Sequence, residues 1–197
     1  MAENNHYEPG NPALNGTDQL VALSGCSGGG KSSLLLELSA REYPVRSEPG
    51  RQVVKEQQFL GGSAVPWQDI NMFIRLTMSR AIYLYNTAQR GSKPTIFDRT
   101  ILDCAAWYHA HAPALPNDVK EAVARYRYSR TVFMVPPWKQ LFGTDPERQH
   151  TFSDAVAEFD YLVPFYERSG YQIVLIPHAS IAERADFLEA QLSRVGE

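Results

Sequence analysis

The run Gly25-Cys26-Ser27-Gly28-Gly29-Gly30-Lys31-Ser32 decides how the rest of this 197-residue chain reads. It follows the apolar stretch Leu20-Val21-Ala22-Leu23-Ser24 and precedes Leu34-Leu35-Leu36-Glu37-Leu38, so the order is buried strand, glycine-rich turn, helix. In that context G-x-x-x-x-G-K-[ST] denotes a phosphate-binding loop. Glycines let the backbone curl until successive N–H groups point at phosphate oxygens, and the following helix adds the positive end of its dipole. Lys31 is the candidate for reaching the β- and γ-phosphates of a nucleotide, and the Ser32 hydroxyl for holding the Mg²⁺ that bridges them. Gly25, Cys26, Ser27, Gly28, Gly29, Gly30, Lys31, Ser32 and Ser33 form the candidate nucleotide-binding set. Cys26 is expected to be shielded from thiol reagents by bound Mg·ATP.

The length suits one domain, and 44% hydrophobic content supplies a substantial core. A net charge of −3 offers no basic field to a nucleic acid, which is not expected as a partner. Two cysteines, Cys26 and Cys104, read as reduced thiols. With no leader pattern at the start and no apolar run of about 18 residues, the expectation is a soluble, cytoplasmic protein without a membrane span. Residues 1–17, rich in Asn, Glu, Pro and Gly, read as a flexible tail or, less simply, as an arm over the substrate; the domain is expected over residues 18–197.

Downstream, Tyr43-Pro44-Val45-Arg46 reads as a short second strand that places Glu48 at its carboxyl end, where ligands bind in an open α/β sheet. Pro49 suits the first turn of the next helix, for which Glu48 is also a candidate cap. Apolar residues from Pro66 to Arg90 recur at helical spacing over much of the circumference, which predicts a central helix packed over the cleft. Arg75 and Arg80 within it read as snorkelling to solvent or facing the cleft. Lys93 to Phe97 is the third strand, and it delivers Asp98 and Arg99 to the sheet edge that carries the loop. Asp98 is a candidate second Mg²⁺ contact, or a cap for the helix after it. Arg99 stands where a water-activating Glu commonly stands in ATPases, which favours charge stabilisation during transfer to an acceptor over hydrolysis. His109 and His111, two apart on a helix, face different ways and make a poor metal pair.

Arg130 to Val135 is a fourth, continuously apolar strand, and the charged segment from Pro136 to His150 reads as a flap able to close on phosphates through Lys139 or Arg148, or as a solvated loop. A helix capped by Thr151 or Ser153, with Pro164 expected to kink or split it, leads to a fifth strand at Tyr171–Pro177 and a closing amphipathic helix. Five strands alternating with helices give a three-layer α/β/α sandwich.

Several of these residues also carry a resemblance. The glycine loop, Glu48-Pro49, Phe97-Asp98-Arg99, Val135-Pro136-Pro137-Trp138, Asp145-x-Glu147-Arg148, Gly170-Tyr171 and Ile176-Pro177 resemble the small P-loop NTPase family of AAA-type ATPases, similar in turn to nucleoside and nucleotide kinases. The resemblance spans about Leu20 to Val195 and implies a parallel sheet of order 2-3-1-4-5 with a lid after strand four. It implies Glu48 as general base beside an acceptor hydroxyl, Asp98 as a metal or acceptor contact, and Arg99 as a phosphate or acceptor contact. The family commonly carries two arginines in the lid, whereas Arg148 is followed here by Gln149.

The reading that follows is a kinase moving the γ-phosphate of ATP, with Mg²⁺, to a small hydroxyl or phosphate acceptor, through Lys31, Glu48, Asp98, Arg99 and Arg148. The acceptor is expected near Tyr83 or Trp107. The alternatives are a nucleotide-dependent switch or slow ATPase or GTPase acting through protein contacts, and a nucleotide-binding protein without turnover. No Asn-Lys-x-Asp-like segment follows a strand, which favours adenine.

Overall fold

The computed structural model describes residues 7–142 and 151–195. Five parallel strands form one sheet: β1 (Leu20–Gly25), β2 (Val45–Arg46), β3 (Thr95–Asp98), β4 (Thr131–Val135) and β5 (Gln172–Leu175). Their order is β2-β3-β1-β4-β5, as the resemblance implies. From β1 the chain goes first to one side of the sheet and then to the other, so the carboxyl end of β1 is the switch point at which open α/β sheets bind ligands.

Alternation along β1 divides the core. Leu20 and Ala22 join Ile74, Met78, Ile101, Leu102, Leu162, Phe165 and Tyr166 on one face. Val21 and Leu23 join Leu34, Leu38, Ala185 and Leu188 on the other. The first face is therefore covered by α3 (Ile70–Asn86), α4 (Ile101–His111) and α6 (Phe152–Arg168), the second by α1 (Lys31–Ala40) and α7 (Ile181–Val195). A strand buried on both faces must be apolar at every position, which is why β1 and β4 show little polar alternation. Helix α2 (Pro49–Leu60) leans on α3, and α5 (Asn117–Arg125) on α4.

Element ends depart from the sequence reading where local chemistry stops them. Helix α3 starts at Ile70, where the Asp69 side chain accepts from the Met72 amide at 3.0 Å. Helix α6 starts after Thr151, one of the two expected caps, in a reciprocal capping box with Asp154, but it continues through Pro164 as a single helix where a split or kink was expected. Arg80 pairs with Glu56 at 2.9 Å and Arg75 with Asp118, so both arginines tie helices together and neither lines the cleft.

The expectation of a tail running free to Thr17 is corrected over residues 7–17; residues 1–6 lie outside the described residues. Leu14 is 2% exposed within the core. The Asn11 amide donates to the carbonyls of Tyr85 and Ala88, both at 3.0 Å, and Gly16 N–H donates to Arg127 O at 2.7 Å. These partners sit at the end of α3 and just before β4, by the amino ends of the strands. The segment is a clasp on the edge opposite the glycine loop, so it covers no substrate there.

Candidate active site

The loop is built by close approach. Gly25 has φ 121°, and a side-chain carbon there would stand 2.2 Å from the carbonyl oxygen of Val135 on the neighbouring strand, so only glycine lets β1 end this near β4. Gly30, at φ 83°, turns the chain into α1, with the Arg184 guanidinium and Leu141 against its open side. Arg184, on α7 and 2% exposed, donates to the Gly29 carbonyl at 3.1 Å. Phe142 packs over Gly28, so the start of the segment after β4 already lies on the loop.

Lys31 is buried and folds back along the loop, its ammonium donating to the carbonyls of Gly25 at 3.0 Å and Cys26 at 2.7 Å. Burial, helped by the Arg99 charge, pushes its pKa down. Ser32 and Ser33 are exposed on the cleft wall. The Cys26 thiol is buried against Val135 and burial holds its pKa up, so its side chain packs within the loop.

Next to β1, β3 ends in Asp98 and Arg99. The register pairs Leu23 with Asp98, and the Arg99 amide donates to Leu23 O at 3.0 Å, which sets both side chains beside the loop. Arg99 adopts φ 63°, the left-handed region that costs a non-glycine residue energy and is tolerated where function fixes the chain. Its guanidinium meets Glu158 at 2.7 Å, Glu48 at 3.2 Å and Asp103 at 3.4 Å. Asp98 is 5% exposed, and its Oδ1 has no hydrogen-bond partner. Burial, with the Glu48 charge adding to it, lifts its pKa to about 6.

Glu48 sits at the N-cap position of α2 without a side-chain capping bond, so the cap reading of this residue is not what the structure holds. Its carboxylate instead lies between Arg99 and Arg51, the latter at 3.6 Å. Burial pushes the carboxyl up, but Arg99, Lys31 and Arg51 outweigh it and hold it below the usual range. Likewise the helix after Arg99 is capped by Thr100, in a reciprocal box with Asp103, and Asp98 takes no part in it.

Sequence reasoning missed three residues here. Asp103 is buried and accepts from Ser24 Oγ at 2.5 Å, from the Thr100 amide at 2.8 Å and from Tyr166 OH at 2.6 Å, tying β1, α4 and α6 together behind Arg99. Glu158 also accepts from the Ser27 amide at 2.8 Å, and burial is outweighed by Arg99 and Lys31 so that its pKa falls. Arg184 is the third. For Glu158 a signal existed: it occupies the stripe Ala155, Leu162, Phe165, whose other members are buried. An acid on an apolar stripe marks a partner elsewhere in the fold.

Lys31, Glu48, Arg99, Asp103 and Glu158 line a cleft of about 600 Å³ that runs from the loop to a wall of Trp67, Ile70, Phe73 and Trp107. Lys31, Glu48, Asp98 and Arg99 are thus gathered around the loop, and Trp107 lines the cleft. Tyr83 does not: it is 53% exposed and stacks on Tyr7 at 6.1 Å. Arg148 lies outside the described residues. A Mg²⁺ fits the donor set, since the Ser32 hydroxyl and the orphaned Asp98 carboxylate oxygen are hard oxygen ligands of the kind that holds this ion together with phosphate oxygens.

A family model described as an AAA domain matches residues 20–184. The chain belongs to the AAA domain family. No curated protein matches the sequence. Among solved structures, this AAA domain is similar to deoxyadenosine kinase from M. mycoides with products dCMP and a flexible dCDP bound, at TM-score 0.61 and 13% identity over 88% of this chain and 98% of that one. It is also similar to deoxyadenosine kinase from M. mycoides with bound dATP, at TM-score 0.53 and 14% identity over the same shares. At such identities the likeness is one of fold. The family is that of AAA domains and the fold is shared with deoxyadenosine kinase, and no helix among the described residues is long and apolar enough to cross a membrane.

Proposed function

We propose that this AAA domain is a small-molecule kinase that moves the γ-phosphate of ATP to a hydroxyl or phosphate of a small acceptor. The observation that carries the reading is the extent of the cleft. Beyond the loop and Arg99 it continues past Glu48 to Trp67, Ile70, Phe73 and Trp107, an apolar compartment that hydrolysis alone does not need. Glu48 stands at the junction of the two halves.

In this reading the loop amides and Lys31 hold the donor phosphates, and Ser32 with Asp98 would hold Mg²⁺, which neutralises phosphate charge when bound. Arg99 stabilises charge on the transferring group. Glu48, kept ionised by its cationic neighbours, accepts the acceptor's proton. Arg148, which lies outside the described residues, is kept as a candidate contact to the transferring group on the family resemblance alone. Cys26 and Cys104 are both free and buried, which suits a reducing compartment, and a cytoplasmic setting is proposed with the activity.

The test is ADP release from Mg·ATP with and without a panel of nucleosides, nucleotides and cofactor precursors. One compound should stimulate turnover strongly, and Glu48→Gln should remove about a hundredfold or more of that rate while ATP affinity persists. Turnover that no compound stimulates and that survives Glu48→Gln would instead mark a slow ATPase or a switch.

A further inference from the structure

Glu158 places an anion on the phosphate-binding loop itself. One carboxylate oxygen takes the Ser27 backbone N–H at 2.8 Å, and the other takes Arg99 Nη1 at 2.7 Å. Ser27 lies at the strand end of the loop. In such loops the amides toward the helix cradle the α- and β-phosphates and the lysine reaches the β- and γ-phosphates. Here the Lys31 ammonium is turned back to the Gly25 and Cys26 carbonyls, directly before Ser27. A carboxylate held between that amide and a guanidinium, one oxygen on each, therefore stands where the last phosphate of a nucleotide is gripped.

The carboxylate is delivered by a rigid element. Helix α6 is fixed at its start by the Thr151–Asp154 box and further along by Tyr166, whose hydroxyl lies 2.6 Å from both Asp103 and Thr100. The Glu158 side chain is 21% exposed toward the cleft and has its own rotamers to move through. If it swings away, Arg99 keeps Glu48 and Asp103 as partners, so the guanidinium is not stranded.

We propose that Glu158 is a built-in substitute for the terminal phosphate: in the nucleotide-free protein it fills the seat between the Ser27 amide and Arg99, and an incoming triphosphate must displace it. The proposal rests on the donor site described above. It makes the loop treat nucleotides by the length of their phosphate chain, because a diphosphate leaves Glu158 in place and a triphosphate drives it out. Once the terminal phosphate has left, Glu158 returns and keeps the seat from water.

The experiment measures the affinity of Mg·ADP and of a magnesium triphosphate analogue with a non-transferable γ-phosphate, by calorimetry, for the wild type, Glu158→Gln and Glu158→Ala. Removing the carboxylate frees a charge-assisted amide contact, so the analogue should bind about tenfold more tightly to both variants. The diphosphate should stay within about twofold of wild type, and its binding shows that the variants are folded. Triphosphate affinity that is unchanged or weakened, or an equal gain for both nucleotides, would overturn the proposal while leaving the donor site standing. If neither nucleotide binds any of the three proteins, the donor reading fails and this one with it.

Discussion

Arg99 and Glu48 meet at 3.2 Å although they leave different strands. Arg46 pairs with Phe97 across β2 and β3, and Glu48 and Arg99 each lie two residues further on, past the strand ends, where their side chains meet. The contact joins the residue proposed to take a proton to the one proposed to steady the phosphate, and neither can shift alone.

Arg99 should therefore tolerate no substitute in catalysis. A lysine keeps the charge but has no planar fork to span Glu158, Glu48 and Asp103. Arg99→Lys should fold and lose about 10²–10³ in kcat, the usual cost of removing a charge-stabilising donor. Arg99→Met should also lower the unfolding temperature, because it leaves half-buried carboxylates facing one another. Steady-state kinetics and thermal unfolding of the two variants check this, and near-normal kcat in Arg99→Lys contradicts it.

Asp98 gives a pH signature. Its folded pKa of about 6 lies above the ordinary aspartate range, so the unfolded chain ionises first as pH rises. Between about 4 and 6 the folded state binds more protons, stability falls with rising pH, and the cost persists at neutral pH. Asp98→Asn should accordingly stabilise the nucleotide-free protein at pH 7, on the order of 2 kcal/mol, with the advantage vanishing toward pH 4. The same variant should bind Mg·ATP more weakly. Denaturant unfolding across that pH range, compared between wild type and variant, reads the difference, and an advantage that grows toward low pH would contradict it.

Leu14 separates a clasp from a loose tail. Leu14→Ala should cost about 3 kcal/mol, the usual range for a buried leucine, and lower the unfolding temperature by roughly 6–12 °C. Nucleotide affinity should not change, since the clasp lies at the edge of the sheet away from the loop. An unaltered melting curve would mean the segment does not hold the fold together in solution.

How far the sequence could be read follows the distance over which each contact is made. The glycine loop, Lys31 and the strand-tip pair Asp98-Arg99 were legible because strand, turn and helix are neighbours in the chain. Glu158 and Arg184 were not, since they reach the loop across 131 and 155 residues, and no local pattern states where α6 and α7 will lie. Asp103 was hidden in another way: the box it forms with Thr100 looks purely local, yet the same carboxylate also holds Ser24 and Tyr166. The amino-terminal segment was misread because, apart from the single core residue Leu14, its hold is polar. Asn11 and Asn15 bond to backbone carbonyls of Tyr85, Ala88 and Arg125, a kind of anchoring that composition does not distinguish from solvation.

The hydrogen bond from Arg184 to the Gly29 carbonyl has a consequence for biosynthesis. A chain leaving the ribosome carries its glycine run long before residue 184 emerges, and until then nothing on α7 braces the curve of the loop. Competence for nucleotide is on this account acquired late, when the last helix docks, and a nascent chain stalled short of it would carry the motif without the grip.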